Sequence, residues 1–407
     1  MAGQSAARRP RKAPQPDALL AAACRIVEAE GLAGLTLRPL ALALEVSVTV
    51  LNTHYGTRAD VIAAICRAAG ALDAVHSGRW KETLSALGAM PSSLAADVAE
   101  AMLEALVTEQ RATTILYLEL LQGCTWDATL HAAFAEWDAQ RRQLWQQFAQ
   151  GAGLAPSLVA CGWWYGYVVT ELAYGVALNP LLPYRMLRRL CLQRVFQGGA
   201  AAAQDGADAR LFGRLLVQLR QGDDAIADHH PAGWQARAAR ASGIHLAARG
   251  AGGLTHRAIA AEIGVPHTTL SYHFPRQHDL VFAGLLYIAA HLRTAADADT
   301  LSELQRLRTE GDGAKLDLAR ASFAMAIAAI RMPELVSRSA SARSRRGDIL
   351  GRVFEKHMPD VRNIDGLCAQ VVSLGLSGLG NLAPPGAASE QSVAAAFAAA
   401  ARWLQQQ

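Results

Sequence analysis

Residues 36–61, TLRPLALALEVSVTVLNTHYGTRADV, carry the pattern that decides the fold. Leu37, Leu40, Ala41 and Leu44 recur at helical spacing and predict a short amphipathic helix. Glu45-Val46 breaks it as a turn, and Ser47 is a good N-cap for a second helix from Val48 to Tyr55. Leu51 and Tyr55, four apart, face inward, which leaves Thr49, Asn52 and Thr53 facing outward. A short helix with small exposed polar groups, braced by a preceding helix, is the helix-turn-helix pattern that enters a DNA major groove.

The pattern returns at residues 254–280, LTHRAIAAEIGVPHTTLSYHFPRQHDL. Gly31, Gly34, Leu35, Thr36, Arg38, Ala41, Val46, Thr49, Leu51, His54 and Asp60 align without a gap to Gly250, Gly253, Leu254, Thr255, Arg257, Ala260, Val265, Thr268, Leu270, His273 and Asp279. The offset is constant (250 − 31 = 219). The second copy places Gly264 in the turn where the first has Glu45, a residue for which a left-handed conformation costs roughly 1 kcal/mol. Pro266 stands where Ser47 does, which suits a first helical position but lacks the cap hydroxyl.

Thr36-x-Arg38-x-Leu40-Ala41, Val46-Ser47, Leu51 and His54-Tyr55-Gly56-Thr57-Arg58 resemble the signature of the tetracycline-repressor (TetR) family: a Thr-capped helix, a "G-V-S" turn, and a recognition helix ending in "H-F-x-S/T-K". Two positions depart from it: Glu45 replaces the turn glycine and Asn52 the usual tyrosine after Leu51. The resemblance implies an all-α protein of two such units fused in tandem. Each unit would have a DNA-binding head and a helical effector-binding and dimerisation body. It also implies that the helix after each head transmits its tilt to the body, and that Arg58 sits where the family has a phosphate-contacting lysine.

Length suits this: 407 residues make two units of about 200, each able to hold its own core. Hydrophobic residues are 52% of the chain, alanine is abundant and β-branched runs are scarce, which favours helices. A net charge of +4 makes DNA contact a matter of local patches, not of bulk charge. Cys24, Cys66, Cys124, Cys161, Cys191 and Cys368 are scattered, form no CxxC pair or His/Cys cluster, and predict reduced thiols with no metal and no cofactor. With a basic N-terminus and no apolar run of about 18 residues, no secretory or membrane segment is expected, and the chain reads as soluble, cytoplasmic and nucleoid-associated.

Residues 1–16 form a basic, proline-rich arm with Arg8, Arg9, Arg11 and Lys12, readable as a phosphate or minor-groove contact or as a solvated tail. The first head spans 17–62. Its first helix, Asp17–Glu30, ends at Gly31; Thr36 caps the next and offers a phosphate site, with Arg38 one turn in, a backbone contact or a plain surface arginine. A long helix then runs from Arg58 to about Trp80. The first body, 63–198, predicts helices near 92–109, 112–122, 127–150, 157–178 and 184–197.

Six of the eight tryptophans lie between 80 and 164. They read either as core packing or as an apolar effector pocket, for which Tyr117, Trp137, Trp163 and Tyr167 are the candidates. Glu171, inside an apolar helix, is read as exposed or as an anchor for a cationic ligand. Residues 199–231 read as a linker with a short helix at 211–220; their 33 residues span at most about 110 Å.

The second head covers 232–282, with Ala239, Ser242 and Leu246 inward on its first helix. Its recognition helix offers His267, Thr268, Thr269, Ser271, Tyr272 and His273; the first offers Val48, Thr49, Asn52, Thr53 and His54. The motif histidine more often packs at the head–body joint than on DNA. Arg331, Arg338, Arg343, Arg345, Arg346 and Arg352 in the second body, 283–407, read as a solvated helix face or as an anion or nucleic-acid contact. The last helices, about 364–380 and 390–405, are dense in small residues and predict close packing against 157–197 as an intrachain pseudo-dimer.

The expected function is a sequence-specific transcriptional regulator on double-stranded operator DNA, a repressor released by a small apolar or aromatic effector. The rival is an architectural, weakly specific DNA binder. An enzyme is not expected, since no nucleophile–base pair, phosphate-cradling loop or metal spacing occurs.

Overall fold

The computed structural model describes residues 14–198, 206–224, 232–251, 254–296, 316–348, 350–351, 365–382 and 387–405. Among these the regular structure is entirely helical. Arg8, Arg9, Arg11, Lys12 and Arg352 lie outside the described residues.

Helix α1 (Pro16–Glu30) starts with proline at its first position and ends at Gly31, whose φ of 72° only glycine adopts cheaply. A 3-10 turn (Leu32–Gly34) leads to α2 (Leu37–Ala43) and α3 (Val48–Tyr55). Helices this short do not persist alone. They are held by burial of Leu40 and Leu51, and Ser47 Oγ accepts the Val50 N–H at 3.3 Å. Between them Glu45 has φ 54°, the left-handed turn expected of it. Thr57 and Asp60 then form a reciprocal capping box that launches α4 (Arg58–Leu87), two turns longer than expected. One eighteen-residue window of α4 reaches a mean hydropathy of 1.2, long and apolar enough to cross a membrane by length and composition alone; 44% of that window is buried in the fold. Val61, Ile62, Ile65 and Ala69 are buried on the helix, which packs against α1 and the body.

The first body consists of α5 (Ser92–Val107), α6 (Arg111–Gly123), α7 (Ala128–Gly151), α8 (Pro156–Ala160), α9 (Trp163–Leu178) and α10 (Leu182–Gln197). The single helix expected over 157–178 is broken, because Gly162 takes φ 80°. Residues 199–231 are more than a linker: α11 (Gly206–Asp224) runs nineteen residues, buries Leu215 and Leu219, and packs on the second body.

The second half repeats the head with α12 (Gly233–Arg249), α13 (His256–Ile263), α14 (His267–His273) and α15 (Gln277–Ala296). The starts of α2, α3 and α4 map onto those of α13, α14 and α15 by the sequence offset (256 − 37 = 267 − 48 = 277 − 58 = 219). Gly264, the counterpart of Glu45, has φ 69°, and Gly250, the counterpart of Gly31, has φ 64°. Then come α16 (Leu318–Ala328), α17 (Val336–Ser344), α18 (Gly366–Leu382) and α19 (Ala387–Gln405).

The halves join where the small residues fall. Helix α9 lies on α18 so closely that a Cβ on Gly378 would collide with the Gly166 backbone, and one on Gly166 would stand 2.9 Å from the Leu379 nitrogen. Trp163 Nε1 donates to the Val372 carbonyl (3.4 Å) and Thr170 Oγ1 to that of Leu374 (3.0 Å). Helix α10 also packs on α18, and α8 on α19.

Among the described residues the arginine segment is not a solvated face. Arg343 is wholly buried and pairs with Glu171 at 2.6 Å, a residue that is itself wholly buried and accepts from Tyr184 Oη (3.0 Å). Glu171 is therefore not exposed, and its partner is this arginine, not a ligand. Burial opposes the charge on Arg343, but the carboxylate beside it holds its pKa well above the ordinary value. Arg346 donates to Tyr174 Oη (3.2 Å) and Ser377 Oγ (2.7 Å), and Arg331 to Glu119 (2.5 Å). Arg338 is buried as well. Through Glu171, Tyr174 and Glu119, the side chains of Arg343, Arg346 and Arg331 stitch the second half to the first.

Candidate nucleic-acid interface

The outer faces of α3 and α14 carry the residues expected to meet bases. On α3, Thr49, Asn52, Thr53 and His54 are exposed. Val48 is half-buried and packs toward the core, so its methyls are less available than the sequence reading had them; Val50 is also half-buried. Thr53 Oγ1 donates to the Thr49 carbonyl at 2.8 Å, a back-bond that fixes its rotamer. Tyr55, at the inner end, donates its phenol to the Pro14 carbonyl at 2.6 Å. That bond ties the root of the basic arm to the end of α3.

Around α3, Thr36 is exposed and occupies the N-cap position of α2, but its hydroxyl makes no capping bond. It stays available to another acceptor or donor, beside free N–H groups of the first turn. Arg38 is exposed nearby. Arg58 is exposed at the start of α4, with Nε donating to the Leu35 carbonyl at 3.3 Å. The capping box beside it, chiefly the Thr57 side chain, lowers the Asp60 pKa.

The second face differs. Thr255 Oγ1 accepts the Ala258 N–H at 3.2 Å, so this hydroxyl is engaged where that of Thr36 is not. Arg257 is exposed. His267 and Thr268 are exposed at the start of α14, Thr269 and Ser271 are half-buried, and Tyr272 is 80% exposed. His273 faces Gln235 Nε2 at 3.3 Å and lies edge-on to Trp234 at 5.1 Å. It joins α14 to α12 within the head while remaining exposed. His54, its counterpart, has no such partner.

The four aromatic candidates for an effector pocket do not meet around a cavity. Tyr117 donates to Asp138 (2.5 Å), meets Tyr165 Oη at 2.6 Å and has the Arg141 guanidinium 4.3 Å over its ring. Trp137 Nε1 donates to Asp73 at 2.5 Å, the carboxylate that also takes Arg141. Trp163 and Tyr167 stand at the α9–α18 seam, Tyr167 donating to Glu171 at 3.3 Å. Burial, reinforced by Asp138 for Tyr117 and Glu171 for Tyr167, pushes both phenols well above their ordinary pKa, so both stay neutral donors. The cavity beside Asp73, Arg141 and Trp145 holds about 20 Å³, room for about one water. Rings packed on rings fill the space that the pocket reading required.

The large open space is elsewhere. A cleft of about 640 Å³ lies between the two heads, with Gly31 and Arg58 on one side and Gly250, Arg249 and Gln277 on the other. Nothing in local sequence flagged it, because its walls come from six separate stretches; the one hint was the pair of cap glycines at a fixed offset. No protein-family model matches the chain, and no curated protein matches it.

Proposed function

We propose that the protein is a sequence-specific DNA-binding regulator in which one chain supplies two unlike reading heads as an intrachain pseudo-dimer of two TetR-like units. The observation that carries the reading is the head repeated at a constant offset of 219 residues, each copy presenting a short polar helix on its outer face. A helix of this kind fits the major groove, and exposed Arg38, Arg58 and Arg257 beside the helix starts suit phosphate contacts. Thr49, Asn52 and Thr53 read on one side; His267, Thr268 and Tyr272 read on the other. Release works by differential affinity: an effector that favours a different head arrangement lowers the fit to DNA and relieves repression.

Selection of bound DNA from a random pool with the full chain tests this. Enrichment of one site with two dissimilar halves supports it. Uniform binding with a steep salt dependence and no enriched sequence would replace it with an architectural role.

A further inference from the structure

The cleft between the heads is braced by two reciprocal contacts. Arg331, from the second half, donates to the Val27 carbonyl (3.2 Å) at the end of α1, and a Cβ on Gly31 would stand 3.2 Å from its Nη2. Trp126, from the first half, lies against the end of α12, where a Cβ on Gly250 would stand 2.9 Å from its ring. Arg331 follows the end of α16 by three residues (331 − 328) and Trp126 the end of α6 by three (126 − 123). Helix α6 underlies the first head and α16 the second. The first helix of each head is thus touched by a side chain of the opposite half, across one shared space.

That space has an apolar floor of Leu32, Leu130, Leu246, Val281, Leu285 and Ile327. Its acids are mostly engaged: Glu119 holds Arg331 and accepts the Leu32 N–H (3.0 Å), and Asp127 caps α7 through Thr129 (3.0 Å). His278 faces Glu334 at 3.8 Å. Glu30 also lines it, alongside two arginines outside any salt bridge among the described residues: Arg249, and Arg58, which gives Nε to Leu35. The volume falls in the range of about 300–1,000 Å³ that small organic ligands occupy.

The geometry points to a regulatory site for an amphipathic organic anion in the cleft between the heads, its apolar body on the leucine floor and its anionic group on Arg249 and Arg58. The occupant sits against both cross-braces, so it sets the distance between the heads. It also draws on Arg58, the side chain placed for a DNA phosphate. The second consequence rests on the DNA-binding reading; the site itself does not.

The test uses 8-anilino-1-naphthalenesulfonate as the probe and neutral N-phenyl-1-naphthylamine as its uncharged counterpart, with the full chain and no DNA. One sulfonate probe should bind per chain. Arg249→Ala should weaken it by about tenfold, the order of a lost charge-assisted hydrogen bond, and change the neutral compound by less than about threefold. Ala29→Trp, an exposed lining position, should block both; if that variant melts early, Ala251→Trp on the opposite lip replaces it. Unchanged binding in the lip variants puts the site elsewhere and overturns the proposal. Equal weakening of both compounds by Arg249→Ala overturns the anionic class. On the selected DNA, the probe should lower affinity in the wild type and not in the blocked variant; no effect of the probe on wild-type DNA affinity removes the regulatory role. The first measurements contain no DNA, so a failed selection leaves the cleft result standing.

Discussion

Cys24 on α1 and Ile65 on α4, the two helices that flank the first short pair, are buried side chains, and the positions 219 residues on are Gly243 and Gly284. In the second head α12 and α15 touch backbone to backbone: a Cβ on Gly284 would stand 2.8 Å from the Ser242 carbonyl carbon and 2.9 Å from the Gly243 nitrogen. The second head also has His245, His256 and His267 where the first has Ile26, Leu37 and Val48. His245 meets Glu262 at 2.7 Å and His256 meets the Phe274 carbonyl at 2.6 Å. One backbone is thus filled in two ways, by aliphatic packing in one copy and by glycine contact with polar cross-links in the other. A duplicated fold constrains cap and turn positions tightly and leaves the interior free to drift, provided that each copy stays filled.

The strongest way to break this comparison is to exchange the fillings. Gly284→Ile should push α12 and α15 apart and destabilise the second head by about 3 kcal/mol or more, since the new atoms meet backbone. Ile65→Gly should cost about 3–5 kcal/mol in the first head through a cavity and a helical glycine. Hydrogen exchange resolved by peptide would show each loss confined to the altered head. A Gly284→Ile protein as protected as the wild type would mean that the close helix approach is not required.

Next is the exchange of α3 and α14, the helices proposed to read DNA. Replacing residues 48–53 by the sequence of 267–272 gives both heads one reading surface, and each base contact contributes roughly 1–3 kcal/mol of discrimination. The preferred site should change from two unlike halves to an inverted repeat, as two-fold protein symmetry demands. A wild-type site that is already a perfect inverted repeat would end the argument that the heads read different sequences.

The heads were legible because their determinants are local. A cap serine, a turn residue and leucines four apart act within a few residues, and the repeat doubled the signal. The body helices were legible for the same reason, but the side-chain pairing within the bodies was not, because its determinants are distant. Glu171 and Arg343 stand 172 residues apart in sequence, and neither looks like half of a buried pair in its own helix. The same holds for Trp163, whose indole bonds residue 372. Aromatic density predicted a pocket, but composition does not distinguish a ring facing a cavity from a ring facing another ring, and Tyr117, Phe134 and Trp137 face each other at 5.0–5.7 Å. The cleft was invisible for the converse reason: the small residues placed the join of 157–197 with 364–405, but the cleft is a space left between other elements, and no residue pattern marks an empty space.

A smaller test uses Ser242, fully buried with a hydroxyl that finds no hydrogen-bond partner, where the first head has Ala23. An unsatisfied buried hydroxyl costs on the order of 1 kcal/mol. Ser242→Ala should stabilise the second head by about that amount, read as slower exchange in α12 with α1 unchanged. A loss of stability would indicate a bound water that the hydroxyl holds.

The smallest effect belongs to the turn between the paired helices, and it has a built-in control. Glu45 at φ 54° and Gly264 at φ 69° occupy equivalent positions in one conformation. A residue with a Cβ pays roughly 1–2 kcal/mol there, whereas glycine enters freely but brings a more flexible unfolded chain, an offset of about 0.5–1 kcal/mol. Glu45 also has an interaction partner, and a glycine forfeits whatever part of that interaction the side chain makes. Glu45→Gly should therefore change stability by only a few tenths of a kcal/mol, the relief of strain being nearly cancelled by the other two effects. Gly264→Ala meets no neighbouring atom within 4 Å and gains no partner, so it should destabilise by about 1 kcal/mol through backbone strain alone. Thermal melts of the two single variants separate strain from contact: a small change at 45 with a clear loss at 264 is the signature expected. Equal losses at both would mean that the Glu45 side chain, and not the backbone turn, holds the first pair of helices in place.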